Sequence, residues 1–103
     1  MTTYYEILTW HGIPTGVRAS DEAGPVVEHL PSRFQVAVDA VAMSAGLTEY
    51  EDYLAGWRYS EPVERAGSAA DVARAVAEEV AARYPPKRVK ELRRALEAEL
   101  LGD

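Results

Sequence analysis

Leu30–Trp57, LPSRFQVAVDAVAMSAGLTEYEDYLAGW, decides the architecture. Ser32-Arg33-Phe34-Gln35 fits a capping box, in which the Ser hydroxyl accepts from the amide three residues on and the Gln side chain reaches back. Pro31 beside it is compatible with a helix start, because a first-turn amide has no intrahelical partner to lose. Phe34, Val38, Val41 and Ala45 then recur at helical spacing and form one apolar face. Gly46 is placed to end the helix in the left-handed conformation. Thr48-Glu49-Tyr50-Glu51 has the form of a second capping box, followed by a compact stripe of Tyr50, Tyr53, Leu54 and Trp57. Gly56 predicts the stop of that second helix.

The first helix is apolar on its other side as well, at Val36, Ala40 and Met43. A helix apolar on both sides is usually buried on both sides. In a chain of 103 residues the second cover is either a second copy of the chain or the chain's own C-terminal helix.

Upstream, Tyr4–Trp10 (YYEILTW) has the β-branched and aromatic composition of a strand. Gly12-Ile13-Pro14-Thr15-Gly16 is expected to break it, because Gly and Pro punctuate most strongly. Val17–Ser20 then reads as a short second strand, Asp21–Gly24 as a tight turn and Pro25–Leu30 as a third strand. Downstream, Trp57–Arg65 reads as a strand, with Pro62 pointing to an edge position or a bulge. Ser68 and Asp71 cap a helix whose seam is Val72, Val76 and Val80, and Pro85-Pro86 ends it. The remaining KRVKELRRALEAELLGD carries Val89, Leu92, Leu96 and Leu100 on one face. The order βββ-αα-β-α-α predicts an α+β fold, an antiparallel sheet of three to four strands with helices packed on one face. Residues 1–84 read as one domain, and 85–103 as a C-terminal amphipathic helical extension.

Hydrophobic content of 48% with 27% charged residues is that of a globular chain. No cysteine is present, which removes disulfides, thiol nucleophiles and Cys-ligated metal sites. No apolar run approaches the ~20 residues that span a bilayer, and MTTYYEILTW lacks the features of a signal peptide. These traits suit a cytoplasmic protein. The net charge of −6 argues against binding a phosphate backbone. Only Lys87, Arg88, Lys90, Arg93 and Arg94 form a basic segment, interleaved with Glu91 and followed by Glu97 and Glu99, the pattern of a solvated helix face.

Several spaced motifs carry a family resemblance. Trp10, Ile13 and Pro14 match a W-x-x-I-P opening. Leu30, Pro31, Arg33, Phe34, Ala37, Asp39, Ala42 and Met43 match an L-P-x-R-F-x-x-A-I-D-x-A-A-M pattern, with Val38 in place of Ile. Tyr53, Leu54 and Trp57 match Y-L-x-x-W. Over about residues 7–84 the chain resembles the small bacterial proteins labelled "virulence factor". His11-Gly12 depart from the charged pair common after the opening Trp. The resemblance implies no reaction and no catalytic residue; its only biochemical association is with one-carbon transfer by folates and corrinoids.

His11 and His29 lack the spacing of a metal site, which needs three or four convergent ligands. Neither a G-x-S-x-G elbow nor a phosphate-cradling glycine loop is present. No catalytic residue, metal or cofactor is therefore assigned. Asp39 lies beside apolar positions of the first helix and needs a partner there, most simply Arg18, Arg58 or Arg65. The aromatics Trp10, Tyr53, Trp57 and Tyr59 read first as core and second as a pocket. The leading expectation is a non-enzymatic interaction module, homodimeric through Val36, Met43, Leu92, Leu96 and Leu100, with another protein as a further partner. The alternative is a small-molecule-binding accessory or enzyme subunit with a pocket around Trp10, His11, Asp39 and Trp57, linked through the resemblance to one-carbon metabolism.

Overall fold

The computed structural model describes residues 2–102. Its first element is a long hairpin. β1 (Thr2–Trp10) and β2 (Ile13–Asp21) run antiparallel, with Trp10 opposite Ile13. Only His11 (φ 45°) and Gly12 (φ 89°) form the turn. Two consecutive positive φ angles give the twist that matches a hairpin, and glycine adopts them without strain. The predicted break over Gly12–Gly16 is therefore confined to its first residue. Ile13–Gly16 is strand, and Pro14 is accommodated because the register shifts by one residue beside Leu8 and Thr9. A bulge is the usual place for a residue with no amide to give to the ladder.

β3 (Gly24–His29) pairs with β2. On the other side of β1 lie β4 (Trp57–Tyr59) and β5 (Val63–Ala66), which pair with successive stretches of it. The sheet therefore has five strands, one more than the upper expectation, because Ser60–Pro62 divides the expected Trp57–Arg65 strand. Ser60 carries the ladder across the gap: its amide donates to the Ile7 carbonyl at 2.9 Å, and its hydroxyl accepts from the Ile7 amide at 2.8 Å. Pro62 stands in this edge interruption, where no ladder bond is required of it.

α1 (Ser32–Ser44), α2 (Tyr50–Ala55), α3 (Ala69–Arg83) and α4 (Pro86–Leu101) complete the chain. Neither of the first two expected capping boxes forms. The N-cap of α1 is Pro31, which has no N–H for the Gln35 side chain to reach, and Gln35 bonds elsewhere. For α2 the N-cap is Glu49 rather than Thr48, so the predicted pair is out of phase. The third forms as expected: the Ser68 hydroxyl accepts from the Asp71 amide at 3.2 Å. Gly46 (φ 72°) ends α1; its amide and that of Leu47 bond back to Met43 and Ala42, closing a Schellman motif.

Thr3, Tyr5, Ile7, Val17, Ala19 and Val26 share the face that α3 covers. Phe34, Val38 and Val41 of α1, and Val72, Val76 and Val80 of α3, are buried with that face. Two polar clamps fix α3. At its start, Asp21 Oδ2 accepts from the Ala69 amide at 2.9 Å. At its end, the Arg33 guanidinium donates to the Ala81 and Tyr84 carbonyls at 2.9–3.1 Å, where orphan C=O groups and the helix dipole favour a cation. α4 packs along α1 and contributes Val89 and Leu96 to the same buried cluster. Of the two covers open to α1, its own chain supplies one, while Val36 and Met43 stay 62% and 76% exposed.

Two predictions follow from these clamps. Arg33→Ala leaves both carbonyls unpaired at the end of α3 and should lower unfolding stability by about 1.5–3 kcal/mol in urea titrations. Hydrogen bonds from the Ala69 and Ala23 amides hold the Asp21 carboxyl below its ordinary pKa. A depressed folded-state pKa contributes stability above the unfolded-state value, and that contribution is lost as pH falls through the folded one. The Tm gap between the wild type and Asp21→Asn should therefore be open at pH 7 and narrow below about pH 4; a gap constant from pH 7 to pH 2 contradicts the assignment.

Candidate functional site

The sheet face away from α3 carries a concavity. Across it, register aligns Tyr59, Leu8, Gly16 and His29 in one row, and Glu6, Arg18 and Val27 in the next. Gly16 contributes no side chain, so its row has a gap between Leu8 and His29. Around that gap lies a cleft of about 440 Å³, walled by Leu8, Val27, Leu30, Trp57 and Tyr59 and reached by Gln35 from α1. A methyl group at position 16 would lie 3.4 Å from the Glu28 carbonyl, an ordinary contact. The space is left by composition rather than enforced by strain.

Arg18 is the charge at the cleft. Its Nη2 donates to Glu6 Oε1 at 2.8 Å, and its guanidinium carbon sits 3.9 Å from the centre of the Tyr59 ring. The Glu6 hydrogen bond pushes the Arg18 pKa further above its ordinary value, so the group is a permanent cation here. One face of the guanidinium covers an aromatic ring, a contact favourable even near solvent. The cleft therefore combines apolar walls, stackable rings and one oriented cation.

Trp57 is held by an aromatic chain that leads into the core. Its ring meets Tyr53 edge-on at 5.8 Å, Tyr53 meets Trp10 at 5.8 Å, and Trp10 meets His11 at 4.6 Å. Trp10 is fully buried, and its indole Nε1 donates to the Tyr53 carbonyl at 2.8 Å. The Gln35 side-chain amide donates to Asp39 Oδ1 at 3.0 Å and to the Tyr53 hydroxyl at 3.3 Å.

The four residues expected to share a pocket are thus near one another without converging on one cavity. Trp57 walls the cleft, and Trp10 is core beneath it. His11 borders a different depression, with Arg58, Glu99 and Leu100. Asp39 is exposed and takes Gln35 as its partner rather than an arginine. Arg18 is committed to Glu6, and Arg65 to Glu79 through two bonds of 2.8–2.9 Å. Asp39 needs no buried counter-charge because it points to water. Of the residues expected at an interface, Leu96 is buried against its own chain, and Leu92 and Leu100 are half-buried against the same core. Among the described residues no three His, Asp or Glu side chains are grouped to hold a metal ion.

Arg18, His29, Leu8 and Gly16 were not assigned to a site from the sequence, since their meeting depends on cross-strand register. The one legible signal was the alternation of Trp57 and Tyr59, which puts both rings on one sheet face.

A family model described as "Virulence factor" matches residues 8–92. The chain belongs to this family. The match begins in β1 and continues past Tyr84 into the first turns of α4. No curated protein and no solved structure matches the chain. Within the family segment, Arg33 is the clamp on α3, and Trp10, Ile13, Leu30, Phe34, Ala37 and Ala42 are buried. Much of the motif set is therefore accounted for by packing.

Since Trp10 is buried and Trp57 faces the cleft, solvent quenching reports on the cleft. Gly16→Val should fill the gap in the Leu8–His29 row, leave Tm within a few degrees of the wild type, about 4–8 °C at most, and reduce acrylamide quenching of tryptophan emission. Unchanged quenching in a folded variant would mean that the side chain turns away from the cleft.

Proposed function

We propose that this protein is a non-enzymatic interaction module whose working surface is the sheet face opposite α3, with the cleft receiving an aromatic or large apolar side chain of a partner protein. The observation that carries this reading is the cleft itself: two aromatic walls and an oriented guanidinium around a glycine floor, on the sheet face opposite α3. The surroundings favour a chain over a compact small molecule, because Tyr4 and Val27, on the same sheet face, are 52% and 55% exposed. An extended segment can cover both while seating one ring. Aromatic anchors in such pockets supply a large share of binding energy at protein interfaces.

Self-association into a homodimer belongs to the same proposal. Val36 and Met43 support it, being large apolar side chains left in water on the outer side of α1. Leu96 does not, since folding of the single chain already buries it.

A displayed random-peptide library, panned on the wild type and on Gly16→Val, tests the main reading. Peptides with an aromatic residue should be enriched on the wild type alone, shift Trp57 emission on binding, and lose at least about tenfold in affinity, about 1.4 kcal/mol, against Gly16→Val. Equal enrichment on both proteins contradicts the reading.

The small-molecule alternative retains one favourable observation, since about 440 Å³ lies within the range of ligand pockets. It predicts a thermal shift with a planar metabolite, which Gly16→Val abolishes. A screen across folates, corrinoids and nucleotides that stays flat removes it.

A further inference from the structure

A second surface lies on the opposite, helical side of the molecule. α1 and α4 run alongside one another, with Arg33 and Val36 near Pro86 and Val89, and Ser44 near Glu97. Between them runs a groove of about 340 Å³. Ala37 and Val89, both buried, make its floor, the exposed Val36 stands along it, and Lys90 and Arg93 lie at its rim. The rim is electropositive on a molecule of net charge −6. Among the described residues no carboxylate lies within ion-pair distance of Lys90, and Arg93 meets only Glu97, at 3.3 Å.

The same chain displays the complementary shape. α2 has no buried residue. Tyr50 and Leu54, one turn apart on it, are 77% and 46% exposed, and Glu49 and Glu51 flank Tyr50 on either side. An apolar pair flanked by carboxylates is what a short apolar groove with a cationic rim selects.

We propose that α2 of one copy seats in the α1–α4 groove of a second copy, with Tyr50 and Leu54 against Val36 and Val89 and the flanking Glu49 and Glu51 at Lys90 and Arg93. This deepens the self-association part of the function proposed above and is independent of the sheet cleft. The two surfaces differ, so the contact is heterologous. A six-residue helix buries less than the ~1,200 Å² of a stable interface, which sets the affinity in the micromolar-to-millimolar range. The contact is charge-steered, so salt weakens it over a Debye length of ~8 Å.

Sedimentation velocity on the full chain, from about 10 μM to about 1 mM, tests the assignment. The average mass should rise with concentration and fall when salt is raised from about 0.05 to 0.5 M. Lys90→Glu with Arg93→Glu, and separately Glu49→Lys with Glu51→Lys, should each be monomeric, whereas mixing the two variants should restore association. Lys90→Glu alone and Tyr50→Ser alter only exposed side chains and should weaken association while circular dichroism and Tm stay unchanged; these two decide the matter if the double variants fold poorly. A wild type that stays monomeric at about 1 mM overturns both this contact and self-association, even if an acidic amphipathic peptide then binds the groove. Association that persists in all four variants overturns the α2–groove contact alone and leaves self-association to another surface.

Discussion

The seat of Trp10 is the constraint on which the rest of the molecule depends. A fully buried indole at the end of β1 must satisfy its one N–H, and it does so on the Tyr53 carbonyl of α2. The backbone closes around it from the other side, where the His11 amide donates to the Gly56 carbonyl at 2.9 Å. A methyl group at position 56 would lie 2.6 Å from the indole nitrogen and the His11 ring, so the chain leaves α2 hard against the hairpin turn. This single packing event joins the β1–β2 turn, α2 and the start of β4. It also sets the place of Trp57, and through it one wall of the cleft.

The second organising fact is asymmetry. α3 covers one side of the sheet, α2 reaches only the Trp10–Trp57 end of the other, and the molecule is correspondingly flat, 46 × 29 × 19 Å. A two-layer α+β fold can leave one sheet face in water if that face carries tolerable side chains. Here Glu6, Arg18 and His29 meet that requirement, while Leu8, Val27, Trp57 and Tyr59 do not. The polar groups tie one another down by the Arg18–Glu6 bond and the stacking on Tyr59, leaving the apolar ones to frame a cavity. On the helical side, α4 covers part of α1 and leaves Val36 and Met43 outside. Two surfaces are thus under-covered, part of the sheet face opposite α3 and the outer side of α1.

Features whose cause lies within a few residues were legible in the chain. The Ser68 cap, the Gly46 terminator, the Pro85-Pro86 junction and the valine seam of α3 each rest on local sterics or on helical periodicity. The α+β class and the element order followed from the same patterns. The cap of α1 lies one position before the Ser32 motif, because a proline can itself be the N-cap and then offers the capping box no amide. The break at Gly12 is shorter than its Gly and Pro content suggests, because two residues suffice for the turn and a bulge accommodates Pro14. The fifth strand is not legible in composition, because Ser60 splices the ladder with its side chain.

By itself the sequence determined the α+β class, the order of the elements, the four helices with their apolar faces, and which family the chain joins, because these depend on local stereochemistry and on motif spacing. Tertiary structure alone decided that Asp39 faces water, that Leu96 is core, and that Arg18, Tyr59, Gly16 and His29 border one cleft. Those outcomes follow from strand register and from the angle at which helices cross the sheet. A shift of one residue in register reverses every side chain between the two faces, so no reading of composition or period fixes the cleft before the hairpin turn, the bulge and the buried Trp10 have set the alignment.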